Sequence, residues 1–146
     1  MKIRLPSSFL ILLLATCCTS KDSGSSLPVE QITIGGQTFN IEIAKSYHDQ
    51  EVGLMHRDHL DSDHGMIFIN DEPKVQTFWN QDVHFALDNI FLGPDGTVVS
   101  IKHMDAWSEK NISSEVPAQY VIELNAGTAA RLNLHVGDHI TLPPQK

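Results

Sequence analysis

Residues 77–92 read Thr-Phe-Trp-Asn-Gln-Asp-Val-His-Phe-Ala-Leu-Asp-Asn-Ile-Phe-Leu and set many large apolar side chains beside a few polar ones. The polar residues of this stretch that stand out are Asn80, Asp82, His84, Asp88 and Asn89. A polar group beside so much apolar surface must be hydrogen-bonded or functional, because leaving it unpaired costs roughly 1–3 kcal/mol. The stretch therefore predicts part of the core and the neighbourhood of a site, but it names no activity.

The N-terminal residues have the pattern of a secretory signal peptide. Lys2 and Arg4 precede an unbroken apolar run over 9–15, which is too short for a permanent transmembrane helix, and small residues stand directly before Cys17. The residues around Cys17 also resemble the lipobox of bacterial lipoproteins, in which the Cys thiol is acylated. We therefore predict a lipoprotein-type signal peptide over 1–16 and lipidation of Cys17. An ordinary signal peptide that is cut nearby is the alternative.

The composition beyond the signal limits the function further. The only cysteines are Cys17 and Cys18, so the folded part has no thiol for a disulfide, a thiolate metal site or a nucleophile. After the predicted lipidation site, we expect the Ser/Gly-rich residues up to 26 to form a flexible tether, and 27–146 have the size of one domain. Without the two basic residues of the signal, eight remain against 18 acidic ones, which disfavours nucleic acid as a partner. We expect a bacterial cell-envelope protein that its lipid holds at the membrane, facing the periplasm.

The apolar pattern predicts a mainly β domain. Strands are predicted over 31–34, 38–43, 65–69, 75–80, 85–92, 97–103, 119–124 and 134–142. Gly35-Gly36 predicts a hairpin turn between the first two strands, and Gly93-Pro-Asp-Gly96 predicts a turn before the strand over 97–103. Helices are predicted over 47–56, where Ser46 begins a capping box and Val52 and Met55 face inward, and over 125–131. Residues 105–117 show no period and predict a mobile loop. These elements favour a compact antiparallel β-sandwich or partly closed barrel with one or two short helices.

Five motifs occur in order along the domain: Gly53-Leu-Met-His-Arg57, Gly65-Met-Ile-Phe68, Phe78-Trp79, Leu87-Asp-Asn-Ile-Phe91 and Val121-Ile-Glu-Leu-Asn-Ala-Gly127. Together they resemble the DUF192 family of small bacterial and archaeal domains of uncharacterised function, over about 38–142. The resemblance implies a compact mainly β fold with short helices, and it implies no activity. The chain departs from the family at 79–82, where Trp-Asn-Gln-Asp stands in place of Trp-Met-Lys-Asn, and at 86–88, where Ala replaces Pro before Leu-Asp.

Three charged residues of these motifs suggest a site. Arg57 lies at the end of a predicted helix, whereas Asp88 and Glu123 each lie among apolar residues on predicted strands. The forked guanidinium donors match carboxylates two at a time, so we predict that these three side chains converge at one rim of the domain, with Trp79 or His84 nearby. The candidate binding residues are therefore Arg57, Trp79, His84, Asp88 and Glu123, and no catalytic residue is assigned.

The sequence favours a non-catalytic binding or interaction module for a small molecule, a glycan or an envelope protein, and no cofactor is predicted. One alternative is a hydrolase in which Asp88 and Glu123 share a cleft as a carboxylate pair with separated pKa values. The same carboxylates could equally form structural ion pairs. A second alternative is a metal-binding lipoprotein that uses His56, His59 and His64, although their spacing belongs to no closed site and fits surface residues better.

Overall fold

The structure is a computed structural model that describes residues 27–143. In chain order its elements are β1 (Val29–Ile34), β2 (Gln37–Ala44), α1 (Tyr47–Val52), β3 (His64–Phe78), β4 (Leu87–Leu92), β5 (Val98–Met104), β6 (Ile112–Asn125) and α2 (Thr128–Arg131). The predicted mainly β fold with short helices is confirmed. The predicted signal peptide, Cys17 and the tether lie outside the described residues. Within 27–143, neither helix is long and apolar enough to cross a bilayer.

The strands form one open sheet in the order β1-β2-β3-β6-β4-β5. As predicted, β1 and β2 form a hairpin around Gly35 and Gly36, both of which have positive φ. The prediction of antiparallel strands throughout is wrong at one pair, because β2 and β3 are parallel. Parallel neighbours need a crossover, which α1 and the loop after it supply. Although β6 is the last strand in the chain, it lies between β3 and β4 and pairs antiparallel with both.

Each face of the sheet is buried against different residues. We call one side the core face; it carries Ile41, Ile67, Ile90 and Ile122 and is covered by Ala129, Leu134 and Ile140. We call the other side the cavity face; it carries Met66, Phe68, Phe91 and Val121 and is covered by Leu54, Leu60, Phe78 and Val83. Every residue of β4 is buried as a result, which explains the nearly continuous apolar pattern of this strand.

Three predicted segments differ from the structure. Residues 65–69 and 75–80 were predicted as two strands around a turn. Instead, 65–69 and 75–78 belong to the single strand β3, which ends at Phe78 and whose register shifts after Ile69 and after Val75. Such irregularities bend a strand and let it fold over its own sheet. The loop predicted over 105–117 is wrong from Ile112 onward, because this polar segment pairs with the end of β3. No strand forms over 134–142, where only an isolated bridge joins His139 to Thr97.

Helix α1 is shorter than predicted. Its start is confirmed, since the Ser46 hydroxyl accepts a hydrogen bond from the Asp49 backbone N–H at 3.1 Å. The helix ends at Val52 because Gly53 adopts φ 49°, a left-handed conformation that favours glycine. Val52 consequently points to solvent, contrary to the prediction, and Leu54 enters the core beneath it.

Candidate functional site

A row of side chains crosses the middle of the cavity face. The strand register aligns Glu42 of β2, Met66 of β3, Glu123 of β6, Asn89 of β4 and Lys102 of β5. Residues paired in this way project from the same face of a sheet and contact one another. The cavity face therefore carries an unusual set of polar groups across its centre, where Glu42, Asn89 and Glu123 are all buried.

The charged residue at each end of this row forms an ion pair. Arg57 binds Glu42 through two parallel hydrogen bonds of 2.5 and 2.9 Å, the forked arrangement that suits a carboxylate. At the opposite end, the Lys102 ammonium lies 2.8 Å from Glu115. The predicted pairing of Arg57 with a carboxylate is therefore present, but its partner is Glu42.

Glu123, in the middle of the row, differs from both ends. Its carboxyl forms no hydrogen bond or ion pair with any residue in the described part of the chain. Burial disfavours the charged form and raises the pKa of Glu123 from 4.5 to about 8. The side chain is therefore a protonated acid at neutral pH, able both to donate and to accept a hydrogen bond.

Two amides beside Glu123 are also incompletely paired. Asn89, its cross-strand neighbour, is buried and has no partner for either its Nδ2 or its Oδ1 among residues 27–143. Asn80 is buried too, and its Oδ1 has no partner there. Because each unpaired buried polar group costs roughly 1–3 kcal/mol, their gathering at one place marks a functional candidate.

Glu123 and Asn80 both line a cavity of about 390 Å³. Its apolar walls include Phe68 and Phe78, and two exposed aromatic residues stand at its mouth, Tyr47 and Trp79, which are 82% and 47% exposed. A partly open cavity of this size, with apolar walls and a few convergent polar groups, has the properties of a site for a small organic molecule.

The cavity walls are tied to the sheet at several points. Gln50 of α1 donates from its side chain to the backbone carbonyl of Ile69 at 2.7 Å, so the helix is fixed over the bend in β3. Beyond that bend, the Phe78 ring packs edge-on against Phe68 and Phe91, with ring centroids 5.0 and 5.9 Å away. The end of β3 therefore folds back over the cavity face and encloses the cavity from above.

Three loops meet beside the cavity and are locked together. His56, Asp82 and Trp107, one from each loop, have φ of 63°, 56° and 59°, which non-glycine residues seldom adopt. The His56 N–H donates to the Asp82 carbonyl at 3.0 Å, and the Trp107 N–H donates to Val83 at 2.9 Å. The Asn80 side chain reinforces this junction, because its Nδ2 donates to two backbone carbonyl groups of the same loops. Strain of this kind concentrates at functional sites.

The predicted site residues separate into three places. Trp79 and Glu123 line the cavity, at its mouth and its floor. His84 lies in the loop junction, where its ring stacks on Trp107 with centroids 4.1 Å apart. Arg57 holds Glu42 at the edge of the row.

Asp88 lies on the opposite side of the sheet. Its Oδ2 accepts a hydrogen bond from the backbone N–H of Ala129 at 2.9 Å and so fixes the start of α2. The register pairs Asp88 with Leu124 and Asn89 with Glu123, so the two carboxyls face opposite ways. The prediction that Arg57, Asp88 and Glu123 converge is therefore wrong. The carboxylate pair on which the hydrolase alternative depended is not present.

The histidine-rich loop shows no arrangement that supports the metal alternative. His59 lies 3.4 Å from Asp61, and His64 lies 2.8 Å from Asp63, as separate pairs on the surface. The hydrogen bond from His64 lowers the pKa of Asp63. Among residues 27–143, no three His, Cys, Asp or Glu side chains are grouped closely enough to hold a metal ion.

Comparison with known families identifies the domain. The model of DUF192, described as "Uncharacterized ACR", matches residues 30–142. The chain belongs to the DUF192 family. The resemblance based on the five motifs is therefore confirmed. No curated protein matches the chain.

The solved structures that are similar to this DUF192 chain include two with a description. One comes from Sinorhizobium meliloti 1021 and is described as a "putative transcription regulator"; it is 35% identical, with a TM-score of 0.72, and the match covers 81% of this chain and 96% of that one. The other is a protein of unknown function from Novosphingobium aromaticivorans DSM 12444, which is 32% identical with a TM-score of 0.75, covering 83% and 90% respectively. These likenesses support the fold and bring no defined ligand or reaction.

Three residues of the site are not among the binding residues predicted from the sequence. Asn80 and Asn89 stood out as polar residues in an apolar stretch, but nothing in the sequence indicated that they lie near Glu123. Glu42 alternates with Phe39 and Ile41 on β2 and so resembled a solvent-facing position. It is buried because the second face of that strand is covered as well, a fact that alternation along one strand does not reveal.

Proposed function

We propose that this protein is a lipid-anchored, non-catalytic binding module of the cell envelope, and that it holds a small organic molecule in the cavity above Glu123. The observation that carries the proposal is the coincidence of an open cavity with a buried acid that has no partner in the described chain. Buried polar groups are retained when they serve a purpose, and a ligand that bonds to them would offset their cost. Because the cavity is concave and only partly open, it favours a small molecule over a protein partner, which would fit a flat apolar patch better.

Lipid anchoring forms the second part of the proposal and depends on the sequence around Cys17. Replacing Cys17 with Ser, with Cys18 left in place, should release the protein from the membrane fraction, because the acyl chains supply the attachment. Cys18→Ser is the matched control and should stay with the membrane. Retention of the Cys17 variant after salt and carbonate washing would contradict anchoring while leaving the cavity proposal intact.

The cavity proposal is tested by a fragment screen on the purified protein with two-dimensional amide NMR. Binders should shift the amide signals of cavity residues such as Gln50, Phe78 and Asn80, while signals on the core face stay in place. Tyr47→Ala and Trp79→Ala should weaken these binders, since both rings stand at the mouth. Val136→Ala shortens another exposed apolar side chain that does not line the cavity, and it should have no such effect. A screen in which no fragment shifts the cavity signals would overturn the proposal.

A further inference from the structure

The polar groups of the cavity are unevenly divided between donors and acceptors. Four side-chain amides line it, Gln50, Asn70, Gln76 and Asn80, and their nitrogens donate to backbone carbonyl groups. Asn80 Oδ1 has no donor within 27–143, and neither does the Glu123 carboxyl. The polar atoms of these residues that remain unpaired are therefore oxygens, whereas the amide nitrogens already donate to backbone carbonyl groups. Such a surface suits a ligand head group that is rich in N–H donors.

The cavity also suits a positive charge. Phe68, Phe78, Trp79 and Tyr47 all line it, and the faces of aromatic rings attract cations within about 6 Å of their centroids. Glu123 can supply a full negative charge at the floor once its proton leaves. An ammonium group carries three donors and one positive charge, so it would satisfy Asn80 Oδ1 and Glu123 together.

We infer that the cavity binds a primary amine in its ammonium form, with the charged head against Glu123 and Asn80 and the apolar body between the aromatic walls. This inference rests on the proposed binding function and names the chemical class of its ligand.

The other charged groups around Glu123 leave this role open. At the cavity itself, Glu51 and Tyr47 belong to α1 and Lys74 belongs to β3. Farther along the row, Glu42 is bound by Arg57, and Lys102 by Glu115. Lys74 is exposed on the outer part of β3, where water screens its charge. On the cavity floor, Glu123 is the acid available to an ammonium ion.

Binding of an amine should be linked to loss of one proton. Burial raises the pKa of Glu123 to about 8, so below that pH the ammonium ion must displace the proton, which passes to the buffer. The affinity for an amine should therefore rise about tenfold per pH unit up to pH 8 and level off above it. A neutral ligand that accepts a hydrogen bond from the protonated acid would show the opposite trend.

The test compares ligands that differ only in their head group, using calorimetry on the purified full-length protein. The pairs are 2-phenylethylamine with 2-phenylethanol, and cyclohexylmethylamine with cyclohexylmethanol. At pH 8.5 we expect each amine to bind at least about tenfold more tightly than its alcohol, a difference that one charge-assisted hydrogen bond can supply. At pH 6.5, titrations in buffers of different ionisation enthalpy should reveal release of about one proton per amine.

Variants assign the effect to its residue. Glu123→Gln keeps the shape of the acid without its charge, and it should remove the preference for amines and the proton release together. Glu30→Gln removes one exposed carboxylate on β1, away from the cavity, and should retain both. The pH dependence of the unmodified protein needs no variant, so the inference remains testable if Glu123→Gln fails to fold.

The outcomes separate the inference from the proposal beneath it. Alcohols that bind as tightly as amines, or amine binding without proton release below pH 8, would overturn the amine inference and leave a small-molecule site. If neither member of either pair binds, the inference also fails, and the fragment screen decides the binding function separately.

Discussion

Asp88 and Glu123 are buried carboxylic acids on adjacent strands, one register position apart, yet they meet opposite surroundings. Asp88, 6% exposed on the core face, accepts a hydrogen bond from Ala129 and lies 3.6 Å from His103. Glu123, 4% exposed on the cavity face, has no partner among residues 27–143, and its pKa is raised to about 8. The contrast teaches that burial of an acid does not define its role. An acid with a backbone donor fixes a helix, whereas an acid without one faces a cavity and is available to a ligand.

The largest expected effect is the loss of stability that Glu123 imposes at high pH. Its pKa is 4.5 when exposed and about 8 when folded, so the folded state holds the proton more tightly. The contribution of Glu123 to stability is therefore greatest below pH 4.5 and falls by roughly 5 kcal/mol in total as the pH rises toward 8. Glu123→Gln should abolish that fall and exceed the stability of the unmodified protein at pH 8.

Urea denaturation at pH 5, 6.5 and 8 measures this effect in both proteins. All other ionisable groups are common to both proteins, so the difference between the two profiles isolates Glu123. Parallel profiles would show that Glu123 is as well solvated as an exposed acid, and the contrast with Asp88 would then disappear.

The second effect compares the two ends of the row. Arg57→Ala leaves the buried Glu42 carboxylate without its guanidinium partner, and we expect a loss of about 3 kcal/mol in the free energy of unfolding. The value lies at the lower end of the usual range because 25% of the Arg57 side chain is exposed. Lys102→Ala, at the exposed opposite end, should cost less than about 1 kcal/mol. Equal losses at pH 7 would indicate that Glu42 is not held mainly by Arg57.

The third effect concerns Asp88 directly. Asp88→Ala removes the acceptor of the Ala129 N–H at the start of α2, and it should destabilise the protein by about 1–2 kcal/mol at pH 7. Asp88→Asn keeps an acceptor oxygen and should cost less than the alanine variant. The sign of the change in stability distinguishes the two acids, because loss of the charge at Glu123 should stabilise the protein at pH 8, whereas loss of the Asp88 carboxylate should destabilise it. Thermal and urea unfolding of Asp88→Ala, Asp88→Asn and Glu123→Gln measures these changes in stability. If Asp88→Ala stabilised the protein, the distinction between the two faces of the sheet would disappear.

The smallest effect on stability is expected at the cavity mouth. Trp79 is about half exposed, so Trp79→Ala should change the free energy of unfolding by about 0.5 kcal/mol or less while weakening cavity ligands several-fold. Phe78→Ala, its neighbour, removes a ring packed between Phe68 and Phe91 and should cost about 3 kcal/mol or more. A large loss of stability in Trp79→Ala would assign this ring to the core.

Much of the fold was accessible from local pattern. The Gly35-Gly36 hairpin, the Ser46 cap and the turn before β5 follow from residues close in sequence, and all three form. The parallel pairing of β2 and β3 was not predicted, because the sequence of a strand does not by itself specify which distant strand it pairs with. The polar start of β6 was likewise missed, since its order comes from pairing with β3 and not from its own apolar residues.

The candidate site was predicted in part, for the same reason. Glu123 and Trp79 attracted attention as polar and aromatic residues within motifs, and both line the cavity. Asp88 was grouped with them because it too lies among apolar residues, but the side of the sheet that a residue faces depends on register. A single shift in the assumed pairing exchanges Asp88 and Asn89, and with them the partner that Glu123 would meet.

The central position of β6 also has a consequence for how the chain folds. Without β6, the sheet would consist of two pieces, β1-β2-β3 and the β4–β5 hairpin, with no backbone pairing between them. Closing the sheet requires contacts between residues far apart in sequence, an entropic cost that slows folding. In a chain whose β6 has not paired, β3 and β4 would each present an unpaired edge, the kind of surface through which nascent chains associate wrongly. Pairing of β6 with both β3 and β4 is therefore what joins the two halves of the sheet.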